Sequence, residues 1–224
     1  MGSEGMQVVF FRGAGRIQPV QRFLEELEPA ERRAATDNQV DRLSALSTDD
    51  PPLPAPWDEQ VEVELRALRI RVGRDVFRVI YRRSGTLFIL LHAFGERFPV
   101  IPEDEVRIAR RNNARSKVVR RSAASGLDTP IGLSLEAHIA AAELDHEYRG
   151  ARARLDPFEQ VARLLIRHRM DHGLSQTQLA ERTGVSHSVV SRIETGQHRT
   201  NLETLGKMAL ALGRRLIISF EPQP

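Results

Sequence analysis

The chain has no cysteine, one tryptophan, two tyrosines and, among 224 residues, two lysines, Lys117 and Lys207. Without thiols there is no disulfide, no zinc–thiolate cluster and no thiol nucleophile, a composition compatible with a reducing compartment. No apolar run approaches the ~20 residues of a membrane-spanning helix, and the N-terminus lacks the pattern of a secretory signal. A cytoplasmic location with no membrane partner is therefore the expectation. The seven histidines show no ligand spacing, so neither a metal nor another cofactor is expected. Residues 1–5, MGSEG, read equally as native or as a remnant of expression.

The scarcity of lysine makes 31 of the 33 basic residues arginine. Arginine suits planar, bidentate contacts to phosphate, although codon usage in a GC-rich genome explains the total as well. The local clustering says more. Between Arg107 and Arg121 there are seven basic residues and no acidic one, a run that marks either a polyanion-binding patch or a solvated face. After it the chain passes through small residues and Pro130-Ile131-Gly132, and a new pattern begins. With 41% hydrophobic residues and this break, two ordinary domains are expected.

The first 121 residues read as α+β. Val8–Phe11 is a short strand, Pro19 opens a helix containing Phe23, Leu24 and Leu27, and a second helix covers about Ala30 to Leu46. Prolines 51, 52, 54 and 56 impose a loop. Val61, Val63 and Leu65 alternate with Glu62, Glu64 and Arg66, the period of a half-buried strand. "VFRVIYRR" and "TLFILLHAF", joined at Ser84-Gly85, predict a hairpin. Pro102 starts a helix that is acidic in its first turn and basic at its end, as the helix dipole prefers.

From Ser134 the pattern is helical. The alanine-rich stretch 133–155 precedes four segments with start and stop signals. Asp156-Pro157 with Glu159 opens the first and Gly173 ends it; Ser175 and Gln178 form a capping box for the second. Ser186 caps the third, Asn201 caps the fourth, and Gly213 stops it. Arg215–Phe220 is a final strand candidate.

The spacing of Leu179, Ala180, Val185, Val190 and Ile193, with Gly184 between two short helices, is that of a helix-turn-helix. The pattern Q-x-x-L-A-x-x-x-G-V-S…V-S-R-x-E-x-G, within residues 157–212, resembles the Xre, or phage-repressor-like, family of DNA-binding domains. The resemblance implies that the second helix of the motif enters the major groove. It makes His187, Ser188 and Arg192 base readers, and Gln176, Ser186 and Arg199 phosphate contacts. It also implies a pair between Arg169 and Glu194. A homodimer on a two-fold operator is expected because one such module contacts too few base pairs for high specificity. His187 and Ser188 stand where well-known members carry glutamines, so the operator sequence does not follow.

In residues 7–117 the elements ELR, FRVIY, LLHAF and P-x-x-E-V-x-x-A, in that order, resemble the HigB branch of the RelE/ParE toxin superfamily. That resemblance implies a small twisted antiparallel sheet with helices, and a metal-free endoribonuclease acting on mRNA, often on the ribosome. Such a reaction needs a base for the 2′-OH, an acid for the leaving 5′ oxygen and cations for the phosphorane. Arg66 and Arg78 match the family's strand arginines, Arg97 matches a basic residue after the last strand, and His92 and Tyr81 are nearby groups able to move protons. Arg66 reads equally as a surface strand residue and His92 as a satisfied core histidine. The family's F-x-K-K is here Phe94-Gly95-Glu96-Arg97, which puts a carboxylate among the cations.

A toxin-like module (1–121), a linker (122–132) and an antitoxin-like module (133–224) then follow in one chain, resembling a fusion of a HigB-like toxin with a HigA-like antitoxin. Two functions follow. In one, the chain is a ribonuclease neutralised by its own second half, within a chain or by exchange between two, which also represses its operon. In the other, it is an Xre-type regulator whose toxin-like domain has lost its chemistry.

Overall fold

The computed structural model describes residues 5–118, 120–122, 126–128 and 130–218. These fall into two compact units, one reaching Pro157 and the other starting at Phe158.

The first unit is built on a six-stranded sheet of order β2-β3-β4-β5-β1-β8. Strand β1 is Gln7–Phe11, α1 is Pro19–Glu25 and α2 is Ala30–Val40, which tightens into a 3-10 turn at Asp41–Leu43. Strands β2 (Asp58–Glu62), β3 (Leu65–Val72), β4 (Asp75–Ser84) and β5 (Leu87–Gly95) form a meander. Its last two turns use Gly73 and Gly85 at positive φ, which a side chain at either position would resist. Helix α3 is Glu103–Ser116. A hairpin of β6 (Arg120–Ser122) and β7 (Gly126–Asp128) leads to β8 (Ile131–Ser134) and α4 (Leu135–Ala142).

Three expectations change here. The alternating run 61–66 is not one strand: β2 ends at Glu62, β3 starts at Leu65, and Val63, 97% exposed, lies in the turn between them. The Gln60 amide donates to the carbonyls of Glu62, Val63 and Leu65 and holds that turn closed. The sheet is mixed rather than antiparallel throughout, because β1 runs parallel to β5. And Ile131–Ser134 is neither linker nor helix: it is an antiparallel edge strand on β1.

Strand pairing decides which side chains share a face. One face carries Val9, Phe11, Ala67, Ile80, Ile89 and Leu91, packed against Ala109 of α3. The other faces α1 and α2, with Phe23 edge-to-face on Phe77 and Gln39 bonded to the Arg71 carbonyl. Helix α4 joins this second side, where His138 meets the Phe10 ring at 5.4 Å.

Helix α5, His146–His172, runs unbroken through Pro157. The expected start at Asp156-Pro157 is therefore absent. Proline lacks an N–H and removes one helical bond, but the turns on either side are held by packing: Tyr148, Ala151 and Leu155 against Ala34 and Ala35 in the first unit. Glu159, expected in a cap, instead pairs with Arg163.

In the second unit α6 is Gln176–Thr183, α7 is His187–Ile193 and α8 is Leu202–Ala211. The Ser175/Gln178 capping box forms with both bonds, and Gly184 takes the left-handed conformation that ends α6. Asn201 caps α8 through the Thr204 N–H. Leu165, Leu179, Ala180, Val190, Ile193 and Met208 make the core. Residues 215–218 form no strand, and Ser219 and Phe220 lie outside the described residues.

Candidate functional site

In the second unit, the α6–α7 pair turns its apolar residues inward and leaves polar ones at the surface. Val190 and Ile193 are buried, while His187, Ser188 and Arg192 on the same short helix are exposed. Ser186 is the N-cap of α7, with its hydroxyl 2.9 Å from that of Ser188 rather than on a backbone N–H. Arg192 rests its Nε on the Ser188 carbonyl at 3.2 Å, and Arg199 is exposed in the turn before α8. Arg192 also bears on His198, whose pKa lies below the ordinary histidine value because of burial first and the arginine's charge second.

The frame behind this helix is a buried ionic network. Arg169 Nη1 donates to Glu194 Oε2 at 2.7 Å and its Nε to the Leu174 carbonyl at 3.0 Å. The side chains are 2% and 0% exposed. Gln176 completes the network, its amide donating to Glu194 at 2.8 Å. Its side chain is thus committed to the interior.

In the first unit the five sequence-selected residues divide between the two faces of the sheet. Arg66 pairs with Tyr81 across β3 and β4, and both converge on Asp58. The Tyr81 hydroxyl donates to Asp58 Oδ2 at 2.7 Å and Arg66 Nε to the same oxygen at 3.0 Å; Arg66 also contacts Gln60. Burial pushes the Asp58 carboxyl up to about 6, against the opposing pull of Tyr81 and Arg66. The Tyr81 phenol is pushed upward too, by burial and then by the Asp58 charge.

Arg78 and His92 lie on the other face, with α3. Arg78, 4% exposed, donates through Nε to Glu96 at 2.5 Å, through Nη1 to Glu59 and through Nη2 to the Pro99 carbonyl. Arg69, its neighbour across the strands, grips the same Glu96 with Nε at 3.1 Å and Nη2 at 2.9 Å. Glu96 is held below the ordinary carboxylate range, the two guanidiniums outweighing the effect of burial. His92 Nε2 is 2.6 Å from Glu105 of α3, and its ring stacks on Phe94. Arg97 is exposed and lines a cleft of about 610 Å³ with Arg74, Phe94, Glu96 and Glu105.

Arg97 therefore lines the cleft, Arg78 and His92 reach its wall only through Glu96 and Glu105, and Arg66 and Tyr81 stand on the opposite face of the sheet. Sequence reasoning missed Asp58, Arg69 and Glu105. Arg69 sits in register with Arg78 only through tertiary pairing, and nothing local signals that. The basic run 107–121 is partly neutralised: Arg107 pairs with Asp104, Arg110 with Glu62 and Glu103, and Lys117 with Glu64. Arg121 lies in β6, and its side chain is outside the described residues. Among the described residues no three His, Asp or Glu side chains cluster as metal ligands, and no helix is long and apolar enough to cross a membrane.

Comparison with known proteins bears on the second unit. Residues 165–217 match the family model described as Helix-turn-helix. The chain is 40% identical over 58 residues to Antitoxin HicB 1 of Photorhabdus laumondii, covering 26% of this chain and 37% of that protein. It is 44% identical over 54 residues to an uncharacterized HTH-type transcriptional regulator of Haemophilus influenzae, 24% of this chain and 55% of that one. A third, an uncharacterized HTH-type transcriptional regulator of Methanothermobacter thermautotrophicus, is 43% identical over 56 residues, 25% of this chain and 81% of its own length. The chain thus spans about a third to a half of the first two relatives and most of the third. By that match and by its helix-turn-helix residues, the chain belongs to the HTH-type transcriptional regulators.

Proposed function

We propose that this protein is a cytoplasmic, sequence-specific DNA-binding regulator that represses transcription as a homodimer on a two-fold operator. The observation that carries this reading is the polarity of α7. Its buried side anchors on the helical core, and its exposed side presents His187, Ser188 and Arg192, donors of the kind that read base edges in the major groove. One such module spans too few base pairs for high specificity, hence the dimer. Selection of bound sites from a random duplex library with the purified chain tests it. A two-fold consensus supports the proposal; binding with no sequence preference refutes it.

For the first unit we favour a toxin-like domain that is silent as a ribonuclease. Phosphoryl transfer needs convergent cations free to meet the phosphorane. Here Arg78 and Arg69 hold Glu96, Arg66 holds Asp58, and Arg66 stands on the face away from Arg78 and His92. Purified chain incubated with mRNA, with and without ribosomes, should leave it intact.

One observation favours the live, self-neutralised alternative: β8, α4 and the start of α5, placed in the chain as an antitoxin's first segment would be, pack within the first unit against β1 and α2. A short tether gives such a contact an effective concentration of roughly millimolar. On that reading, proteolysis between 122 and 130 followed by separation of the fragments would release mRNA cleavage and arrest growth of an expressing bacterium.

A further inference from the structure

Helix α8 carries a row of residues that the core of the second unit does not use. Met208 turns inward and is 2% exposed, while Leu202 and Leu210 are 60% and 78% exposed. With Gly206 between them they recur at every fourth position, so the three form one row along the outward side of the helix. A Cβ built on Gly206 would meet nothing within 4 Å, so the middle of the row is an open gap between two leucines. The row is also self-complementary. Its spacing, L-x-x-x-G-x-x-x-L, reads the same from either end.

We propose that two copies of this chain dimerise through the row Leu202, Gly206 and Leu210. A two-fold axis through Gly206, perpendicular to the helix, lays Leu202 of each copy against Leu210 of the other. No side chain then stands where the two backbones cross. Packing of such i, i+4 rows on one another is the commonest contact between helices, and a patch that fits itself is what a closed dimer requires. The charges agree. Glu203 and Lys207 border the row and pair with each other at 2.6 Å, and the same axis brings each Lys207 beside the second copy's Glu203. The proposal rests on the regulatory reading, which calls for a dimer, and names the surface that makes it.

Sedimentation equilibrium of the full chain tests it. The wild type should be a dimer. Leu210→Glu and Gly206→Arg should each weaken association at least about thirtyfold, the effect of losing one central contact of an interface. Both positions face open space, so the variants should keep the wild-type circular dichroism and melting curve. The absence of cysteine lets the register be read directly. A mixture of Leu202→Cys and Leu210→Cys chains should be joined by a short bismaleimide far more than either variant alone. A monomeric wild type overturns the proposal. So does a Leu210→Glu variant that remains a dimer while Ile217→Glu, in the exposed segment after α8, dissociates it. Site selection by α7 is a separate readout: a wild type that selects a two-fold operator beside a dimeric Leu210→Glu keeps the regulatory reading and removes this surface, and a dimer through this row without sequence preference does the reverse.

Discussion

The Tyr148 hydroxyl donates to Asp37 Oδ2 at 2.7 Å, joining residues 111 positions apart through a contact from which solvent is excluded. His138 approaches the same oxygen at 3.5 Å, and the Arg33 guanidinium lies 5.0 Å over the Tyr148 ring while pairing with Asp145. Burial, then the Asp37 charge, drives the phenol's pKa upward, so the hydroxyl keeps its proton and remains a donor. Tyr148→Phe leaves a buried carboxylate short of a donor and should cost about 1–3 kcal/mol. Tyr148→Ala also empties the space beside Ala34 and Ala35 and should cost about 3–5 kcal/mol. Urea unfolding followed by circular dichroism measures both; a Phe variant as stable as wild type would show that the bond contributes nothing.

The Arg169–Glu194 pair predicts a larger effect in the second unit. Glu194→Ala strands a buried guanidinium and should cost about 3–5 kcal/mol, as breaking one side of a buried ion pair does. Replacing both partners with methionine should recover much of that loss. A double-mutant cycle on the melting of the chain gives the coupling directly.

Asp58 makes the first unit sensitive to pH. Its carboxyl moves from an ordinary 3.8 to about 6 on folding, so between those values the folded chain holds a proton that the unfolded chain has released. Stability from this group is full below about pH 4, falls as the pH rises and levels off above 6. The loss over that range should be about 3 kcal/mol for a shift of this size. Asp58→Asn stays neutral and still accepts from Tyr81, so its unfolding free energy should lack this slope. Denaturant titrations at pH 4, 5, 6 and 7 compare the two proteins.

On DNA, Arg192→Ala should relax sequence preference by about 1–3 kcal/mol at one position of each half-site. Arg199→Ala should weaken binding evenly across sequences and reduce the salt slope by about one unit. Fluorescence anisotropy with the selected operator over a range of salt separates the two, and identical behaviour of both variants would remove the assigned roles.

What the sequence made legible is what neighbouring residues decide. The hairpin around Gly85, the capping box at Ser175 and the left-handed Gly184 depend on contacts within a few positions. The Arg169–Glu194 pair was reached through the family pattern. Elsewhere the local signal misleads. Alternation at 61–66 reports one half-buried strand, yet the chain turns at Val63-Glu64, bonded by the Gln60 side chain, and the run is divided between β2 and β3. Pro157 reads as a helix start, and only packing on both sides carries α5 past it. Four residues at 131–134 carry too little pattern to announce a strand whose partner is β1. Most of all, the sequence set Glu96 among cations as a departure; that it lies between Arg69 and Arg78 is a product of register, which no linear reading contains.

The pairing of β8 with β1 has a consequence for how the gene could be divided. Val8 to Phe11 are all buried, and with β8 removed the outer backbone of that apolar strand would become an open sheet edge, the kind that templates pairing with other chains. Strand β8 blunts it by being four residues long and running straight into a helix. A chain ending anywhere before Ile131 would carry that open edge and should associate with itself through it.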